Sequence, residues 1–202
     1  MNAYNEPSKS VVIEEKIKRS IFIASLKKCC NEIETREFLN SILSSHRDAT
    51  HNCRAFIIGA EDVKNFIEYS SDDGEPSGTA GKPILAAIKH SEIINVMIIV
   101  TRYFGGVKLG TRGLIDAYGD VAKKALQECE PVKKFFTRNF KITFEYNLFS
   151  AVNKIFETHH AINIRPEFSQ EIFFDADVPV NECDSLKIKL DELNLRGLLK
   201  YV

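Results

Sequence analysis

The sequence predicts an α+β fold divided into two domains. Strand-like and helix-like hydrophobic patterns alternate along the 202 residues, and hydrophobic residues make up 44% of them, which is enough for a core in each domain. Pro131 interrupts this series, and the segment after it has a compact order of elements of its own. We place the boundary between residues 131 and 138. The prediction is therefore an N-terminal domain over 1–132 and a C-terminal domain over 138–202.

The first domain is expected to contain five strands and three helices. The strands are predicted at residues 11–14, 22–26, 54–59, 65–69 and 93–102, with a polar turn at 59–62. The helices are predicted at 32–44, from near Pro83, and after Gly113. In the third helix the residues expected to face inward are Leu114, Tyr118, Val121, Ala122, Ala125 and Leu126.

The second domain has the pattern strand, helix, strand, strand, helix, strand. These elements are predicted at residues 140–146, 150–159, 161–168, 171–177, 182–193 and 197–202. The second helix is supported by apolar positions at spacings of three and four, which are Cys183, Leu186, Leu190 and Leu193. The order βαββαβ is that of the ferredoxin-like split βαβ unit, so we expect that fold here.

Composition and charge exclude several classes of protein. The chain has 27 basic and 28 acidic residues and a net charge of -1, which argues against a non-specific nucleic-acid binder with a large basic excess but allows a local basic patch. The N-terminus has no apolar signal region, and no apolar run approaches the roughly 20 residues of a membrane span. Five scattered cysteines fit reduced thiols. We therefore expect a cytoplasmic protein without a membrane segment.

A first glycine-rich loop is predicted at residues 70–81. Its three glycines, Gly74, Gly78 and Gly81, allow turns whose N–H groups bind an anion. Its side chains offer other roles: the carboxylates of Asp72, Asp73 and Glu75 suit a cation or acid–base chemistry, and the hydroxyls of Ser77 or Thr79 suit a helix cap. A nucleotide-binding P-loop is excluded, because prolines occupy positions 76 and 83, where that motif needs glycine and Ser or Thr.

A second glycine-rich loop is predicted at residues 105–113, between a buried strand and a helix. Free N–H groups and the helix dipole favour an anion at such a helix start. The cations Arg102, Lys108 and Arg112 suit phosphate, and Tyr103 and Phe104 can stack on a base. The alternative is structural, with Phe104 in the core, the glycines in a tight turn and the cations in solvent. The spacing is not that of a dinucleotide-binding fingerprint.

The histidines and cysteines near residue 50 do not predict a metal site. His46, His51 and Cys53 lack a second close pair of ligands, so no zinc or other metal is expected. A nucleophile pair of Cys53 and His51 would need an orienting group, although residues two apart on a strand share a face. We favour His51 as a polar site residue beside the loops.

Three segments resemble the signature blocks of the IMPACT/YigZ family. They are ATHNC (49–53), DGEPSGTAG (73–81) and TRYFGGVKLG (101–110), in the family's order and spacing. The resemblance covers about residues 10–128, and the remainder resembles the small C-terminal domain of bacterial YigZ-type members. It implies a ribosomal S5 domain 2-like α/β sandwich followed by a ferredoxin-like domain resembling a terminal domain of elongation factor G. It also implies regulation of translation, which eukaryotic relatives perform by binding a protein that activates an initiation-factor kinase.

One segment departs from the family pattern. Members usually continue LGTGGLVRAY, whereas residues 109–118 read LGTRGLIDAY. Arg112 thus replaces a glycine, and Asp116 replaces a basic residue one turn into the helix. Either the cation has moved four residues earlier, where it can pair with Asp116, or the anion site is weakened here.

These patterns predict a binding or regulatory protein ahead of an enzyme. The expected partners are RNA, the ribosome or a translation-associated protein, with no cofactor. The residues assigned to this surface are Ser77, Gly78, Thr79, Arg102, Tyr103, Gly105, Gly106, Lys108, Gly110, Thr111 and Arg112. The alternative is a hydrolase or phosphoryl-transfer enzyme, and its candidate catalytic residues are His51, Asp73 and Glu75.

Overall fold

The computed structural model describes residues 3–59, 66–195, 197 and 199–201. The chain divides into two compact units, one over Tyr4–Lys134 and one from Phe135 onward together with the first residues. Both units combine helices with β-sheet, so the predicted α+β class is confirmed. Most of the turn expected at 59–62, and the start of the strand expected at 65–69, lie outside the described residues. Among the described residues, no helix is long and apolar enough to cross a membrane.

The first unit is built on a five-stranded antiparallel sheet. The strands of the unit are β1 (Ala3–Pro7), β2 (Val11–Ile17), β3 (Ser20–Lys28), β4 (His51–Ile58), β5 (Ile67–Ser71), β6 (Val96–Tyr103) and β7 (Pro131–Phe135). The large sheet has the order β2-β3-β6-β4-β5. The sequence patterns did not indicate β1 and β7, which pair with each other in a separate two-stranded sheet. β7 lies where an interdomain boundary was expected, and its residues are all exposed.

Helices cover both faces of the large sheet. They are α1 (Glu32–Ser45), α2 (Gly81–Ser91) and α3 (Gly110–Glu128). Because successive strand residues point to opposite faces, Val96, Ile98 and Val100 of β6 join the core under α2 and α3, while Met97 and Ile99 join a second cluster against α1. This double burial explains why β6 reads as a continuous apolar run. The residues predicted to face inward on α3 are all buried.

Two predicted loop boundaries are wrong. Ser70 and Ser71 belong to β5, because their pairing with Ala55 and Arg54 extends that strand. Residues 110–113 form the first turn of α3 despite their glycines. Tertiary packing overrides the low helix propensity of glycine here, since the next residue, Leu114, is buried in the core. The first loop is therefore residues 72–80, and the second is residues 104–109.

The second unit contains four strands and two helices in the predicted order. They are β8 (Thr137–Phe144), α4 (Phe149–Thr158), β9 (Ile162–Phe168), β10 (Ile172–Pro179), α5 (Cys183–Leu195) and β11 (Leu199–Tyr201). The sheet is antiparallel with the order β11-β8-β10-β9. Alternate residues of β8 and β10 are buried with Val152 and Phe156 of α4 and Leu186 and Leu190 of α5. Most of the other positions of these strands carry polar residues, and there the Asn139 amide donates to Asp175 and Asp177.

Candidate functional site

The ends of three adjacent strands bring the candidate residues together. In the sheet ladder Arg102 of β6 lies opposite His51 of β4 on one side and opposite Phe22 of β3 on the other. Directly opposed residues share a face, so these three side chains form a row on the face that α2 and α3 cover. Glu75 reaches this row from the first loop, and Tyr118 reaches it from α3.

Glu75 and Arg102 form a buried ion pair at the centre of the site. Arg102 Nη1 donates to Glu75 Oε1 over 2.6 Å, and the two side chains are 6% and 3% exposed. The Tyr118 hydroxyl donates to the same oxygen over 2.8 Å. Arg102 Nη2 lies 3.4 Å from Ser20 Oγ, whereas its buried Nε has no hydrogen-bond partner among the described residues. The pair therefore holds the first loop against the sheet, and neither charge is presented to solvent.

His51 is held in one orientation beside this pair. Its Nδ1 lies 2.8 Å from the backbone carbonyl oxygen of Asp73, which can only accept, so Nδ1 carries a proton. Nε2 lies 3.9 Å from Glu75 Oε1, which is longer than a hydrogen bond. Gly74 lies beside the ring, and a Cβ there would be 3.4 Å from Nδ1. The structure thus brings together His51, Glu75 and Arg102, three of the residues that the sequence indicated. Nε2 of the imidazole makes no hydrogen bond within the described part of the chain.

Asp72 fills the anion-binding turn of the first loop with its own carboxylate. Oδ1 accepts from the N–H groups of Ala80 and Gly81, and Oδ2 accepts from that of Gly78. Burial favours the neutral carboxyl, but the three backbone donors and the nearby Lys82 ammonium outweigh it and lower the pKa of Asp72. The start of α2 therefore already has an internal anion.

Asp73 and Thr79 of the first loop also have internal partners. The carboxylate of Asp73 accepts from the Asn52 N–H over 2.7 Å and lies 3.7 Å from Arg54 Nη1. Thr79 is buried, and its hydroxyl donates to the carbonyl of Pro76. Of the residues assigned to this loop as binding groups, only Ser77 has an exposed side chain.

Two further groups in this region are held in their neutral forms. Burial raises the pKa of the Cys53 thiol to about 12, and Cys53 Sγ donates to the carbonyl of Asp72. Burial also raises the pKa of Tyr118. A thiol with so high a pKa keeps its proton at neutral pH and is a poor nucleophile. This geometry gives no support to a pair in which His51 activates Cys53.

The second loop is fastened to Thr50, just before β4, and to the turn between β2 and β3. The N–H of Phe104 donates to Thr50 Oγ1, and the N–H of Gly105 lies 3.3 Å from Ser20 Oγ. A Cβ on Gly105 would lie 2.0 Å from the carbonyl oxygen of Arg19, so this close approach requires glycine. The basic β2–β3 turn and the second loop therefore form one continuous surface.

This surface carries the exposed cations of the site. Lys18 and Arg19 at the turn and Lys108 in the loop are exposed, and the side chain of Arg112 is 87% exposed. The start of α3 has no side-chain cap and no acidic residue in its first turn. Arg112 pairs with Asp116 at 3.2 Å.

The predicted binding residues thus separate into different environments. Tyr103 lies on the opposite face of the sheet from Arg102, where its hydroxyl is 2.9 Å from His46 Nδ1. Gly110 and Thr111 are exposed at the start of α3, and Gly106 has a left-handed backbone with open space where a Cβ would be. Lys18 and Arg19 were not among the site residues expected from the sequence.

Three other site residues were not expected in the roles that the structure gives them: Asp72, Ser20 and Tyr118. Asp72 caps N–H groups six to nine residues ahead, outside the short range of an ordinary helix cap. Ser20 and Tyr118 meet Arg102 and Glu75 across 82 and 43 residues of chain. The sequence carries no local signal for such contacts.

Fold and site together define a two-unit α+β protein with two glycine loops on one helix-covered sheet. No cluster of three or more His, Cys, Asp or Glu side chains that could hold a metal ion occurs in the described part of the chain. The Impact N-terminal domain model matches residues 18–126, which is more than half of the chain. The chain belongs to the IMPACT family, which confirms the resemblance seen in the sequence.

Similar proteins match along most or all of the chain. It is 30% identical over 202 residues to the IMPACT family member YigZ of Escherichia coli (strain K12), covering 100% of this chain and 98% of that one. It is 34% identical over 177 residues to the IMPACT family member YvyE of Bacillus subtilis (strain 168), covering 88% and 80%. A crystal structure of a protein described only as hypothetical superposes with a TM-score of 0.69 at 30% identity, covering 100% and 97%.

Proposed function

We propose that this protein is a cytoplasmic, translation-related regulator that binds RNA, free or in the ribosome, through its second glycine loop. The observation that carries the proposal is the open, uncapped start of α3 beside exposed Lys108 and Arg112. Helix N–H groups and cations together suit phosphate. The adjoining β2–β3 turn adds Lys18 and Arg19 to the same surface.

The contrast with the first loop limits where an external anion can bind. There the N–H groups of Gly78, Ala80 and Gly81 already donate to Asp72, and the charge of Arg102 is neutralised by Glu75. The role of the first loop is therefore to hold the site together. A net charge of -1 fits binding by a local cationic surface better than binding by the whole molecule.

The translation-related part of the proposal rests on family membership and on finer fold assignments. We assign residues 1–132 to a ribosomal S5 domain 2-like domain and residues 138–202 to a ferredoxin-like domain resembling a terminal domain of elongation factor G. The order βαββαβ and the antiparallel sheet order β11-β8-β10-β9 support the second assignment. By analogy of fold, the C-terminal domain supplies a docking surface for the ribosome or a translation-associated protein.

Filter binding to RNA and co-sedimentation with ribosomes test this proposal. Binding should weaken with added salt, and the combined change Lys108→Ala and Arg112→Ala should reduce the slope of log affinity against log salt by about 2, one for each phosphate contact. Lys82→Ala is the matched control, because Lys82 is an exposed lysine at the start of α2, beside the closed loop. Absence of salt-dependent binding to both RNA and ribosomes would overturn the proposal.

A second candidate is a hydrolase or phosphoryl-transfer enzyme that uses His51 with Glu75. The observation that favours it is the imidazole oriented by the Asp73 carbonyl, with Nε2 3.9 Å from the Glu75 carboxylate. An imidazole held in one orientation suits proton transfer to or from a substrate. A phosphatase and nuclease screen comparing the wild type with His51→Gln tests it. Turnover lost in the variant supports this candidate, and no turnover by the wild type on any substrate removes it.

A further inference from the structure

We propose that Phe104 is a base-stacking residue and that the RNA bound at the second loop is single-stranded. This inference rests on the proposed function, because it names the class of RNA that the same surface takes. It is carried by the environment of one aromatic ring, which is exposed, fixed in position and in contact with a buried cation.

Phe104 presents its ring to solvent at the edge of the cationic surface. The residue is 46% exposed, although it follows a strand whose residues are buried as far as Arg102. Single exposed apolar side chains are common on protein surfaces, so exposure alone indicates nothing. The two features that distinguish Phe104 are the fixed main chain around it and the contact with Arg102.

The main chain is held on both sides of the ring. The N–H of Phe104 donates to Thr50 Oγ1 over 3.0 Å. The next residue, Gly105, packs so closely against Arg19 that no side chain fits there. A ring held in this way loses little further freedom when a base stacks on it, so less binding energy is spent on ordering.

Arg102 supports the ring from within the protein. Its guanidinium carbon lies over the Phe104 ring, 5.3 Å from the centroid, and over the Phe22 ring at 5.4 Å. The hydrogen bond to Glu75 at 2.6 Å fixes the guanidinium in this place. The buried ion pair thus stabilises the stacking surface through a cation–π contact, while exposed lysines and arginines remain for phosphates.

A stacking residue of this kind selects unpaired bases. A base reaches the ring only when its own face is free, as in a single strand or a loop, whereas the bases of a duplex are stacked on each other. The cations at Lys18, Arg19, Lys108 and Arg112 would contact the phosphates of either form. The ring therefore adds affinity for single-stranded RNA above the salt-dependent binding that both forms share.

Fluorescence anisotropy with two labelled RNAs tests the inference on the full chain. One RNA is an unstructured 12-mer and the other is a blunt-ended duplex of two strands with a similar number of phosphates. Phe104→Ala should weaken binding of the 12-mer about tenfold or more, with an unchanged salt slope and unchanged duplex binding. Phe104→Trp should keep the affinity, since it preserves an aromatic face. Tyr69→Ala is the control, because it removes a side chain of similar exposure on β5.

The outcomes separate this inference from the proposed function. If both RNAs bind with a salt dependence and Phe104→Ala binds them as the wild type does, the stacking role is wrong and the cationic surface stands. Equal losses for the single strand and the duplex would also overturn the stacking role, because they would reflect a disturbed loop. If neither RNA binds at any salt concentration, the proposed function and the inference both fail.

Discussion

The two glycine-rich loops of the first unit look alike in sequence but differ in whether their backbone donors are already occupied. In the first loop Asp72 accepts three backbone N–H groups, and Glu75 is enclosed by Arg102 and Tyr118. In the second loop, helix α3 starts without a side-chain cap or an acidic first turn, next to exposed Lys108. A glycine-rich turn at a helix start is thus a vacant anion site only where no carboxylate of the same chain fills it.

The difference assigns separate tasks to the two loops. The closed loop shapes and supports the site, because its charges and donors are used internally. The open loop presents its cations and one aromatic ring to solvent. We therefore expect substitutions in the first loop to act through stability, and substitutions in the second loop to change RNA binding whether or not they also change stability. The following predictions test that division from the largest expected effect to the smallest.

Glu75→Gln should be the most damaging of these changes. It leaves the guanidinium of Arg102 buried without its counter-charge, and breaking a buried pair in this way costs about 3–5 kcal/mol of unfolding free energy. Urea unfolding, with hydrogen exchange of the β6 amides to report on the first unit, measures the loss.

The control for this change removes both charges. Glu75→Gln combined with Arg102→Met should recover much of the lost stability, because the uncompensated charge is gone. A double variant as unstable as the single one would mean that loop geometry, and not the buried charge, dominates. A loss below about 1 kcal/mol in Glu75→Gln would contradict a supporting role for the closed loop.

Gly105→Ala should have the next largest effect, and it acts on the open loop. The new methyl group would meet the carbonyl of Arg19 at 2.0 Å, so the loop or the β2–β3 turn must move, at a cost of about 1–3 kcal/mol. RNA affinity should fall as well, since the cationic surface spans both segments. Gly106→Ala is the matched control, because its site is open and only its positive φ of 82° is strained. Equal RNA affinity for the two variants would show that the contact with Arg19 does not shape the surface.

Asp72→Asn should cost about 1–2 kcal/mol at neutral pH, the usual range for a lost helix-capping group. The pKa of Asp72 is lowered in the folded protein from its ordinary value of 3.8, so the carboxylate stabilises the fold above that pH. That stabilisation disappears as the pH falls through the folded pKa.

The pH dependence of this variant provides its own check. The stability difference between the wild type and Asp72→Asn should be constant from pH 7 to about pH 5 and should shrink below about pH 4, as followed by urea unfolding at each pH. Asp120→Asn is the control, since that carboxylate is exposed and pairs with Lys123. A difference that persists unchanged at low pH would show that the charge of Asp72 is not what holds the turn.

Much of the fold could be predicted from the sequence, because its elements carry strong local patterns. The continuous apolar run of β6 indicates a strand that is buried on both faces. The inward face of α3 is indicated by apolar residues at helical spacing. β1 and β7 could not be predicted in this way. All residues of β7 are exposed, so it has no buried face to impose an alternating pattern, and it is defined by its pairing with β1 across the length of the unit.

The site was predictable in location but not in its internal contacts. The glycines and the nearby charged residues indicated both loops. The contacts that distinguish the loops depend on the strand register that places Arg102 opposite His51 and on the loop conformation that brings Glu75 to Tyr118. Both are set by tertiary structure. A sequence cannot indicate that a carboxylate such as Asp72 folds back to occupy a nest formed by its own loop.

Asp116→Asn should have the smallest effect on stability and a measurable effect on binding. The pair of Arg112 and Asp116 is exposed and spans one helical turn, so its loss costs about 0.3–0.5 kcal/mol or less.

The departure from the family pattern at these two positions then has a direct test, because the substitution frees Arg112 beside the start of α3. RNA affinity should rise, because the carboxylate of Asp116 no longer competes with a phosphate for Arg112. Asp120→Asn, at another exposed pair of the same helix, is the control, because it changes the helix charge by the same amount. If Asp116→Asn binds RNA no better than the wild type, Arg112 lies outside the binding surface, and the open loop depends on Lys108 and the β2–β3 turn alone.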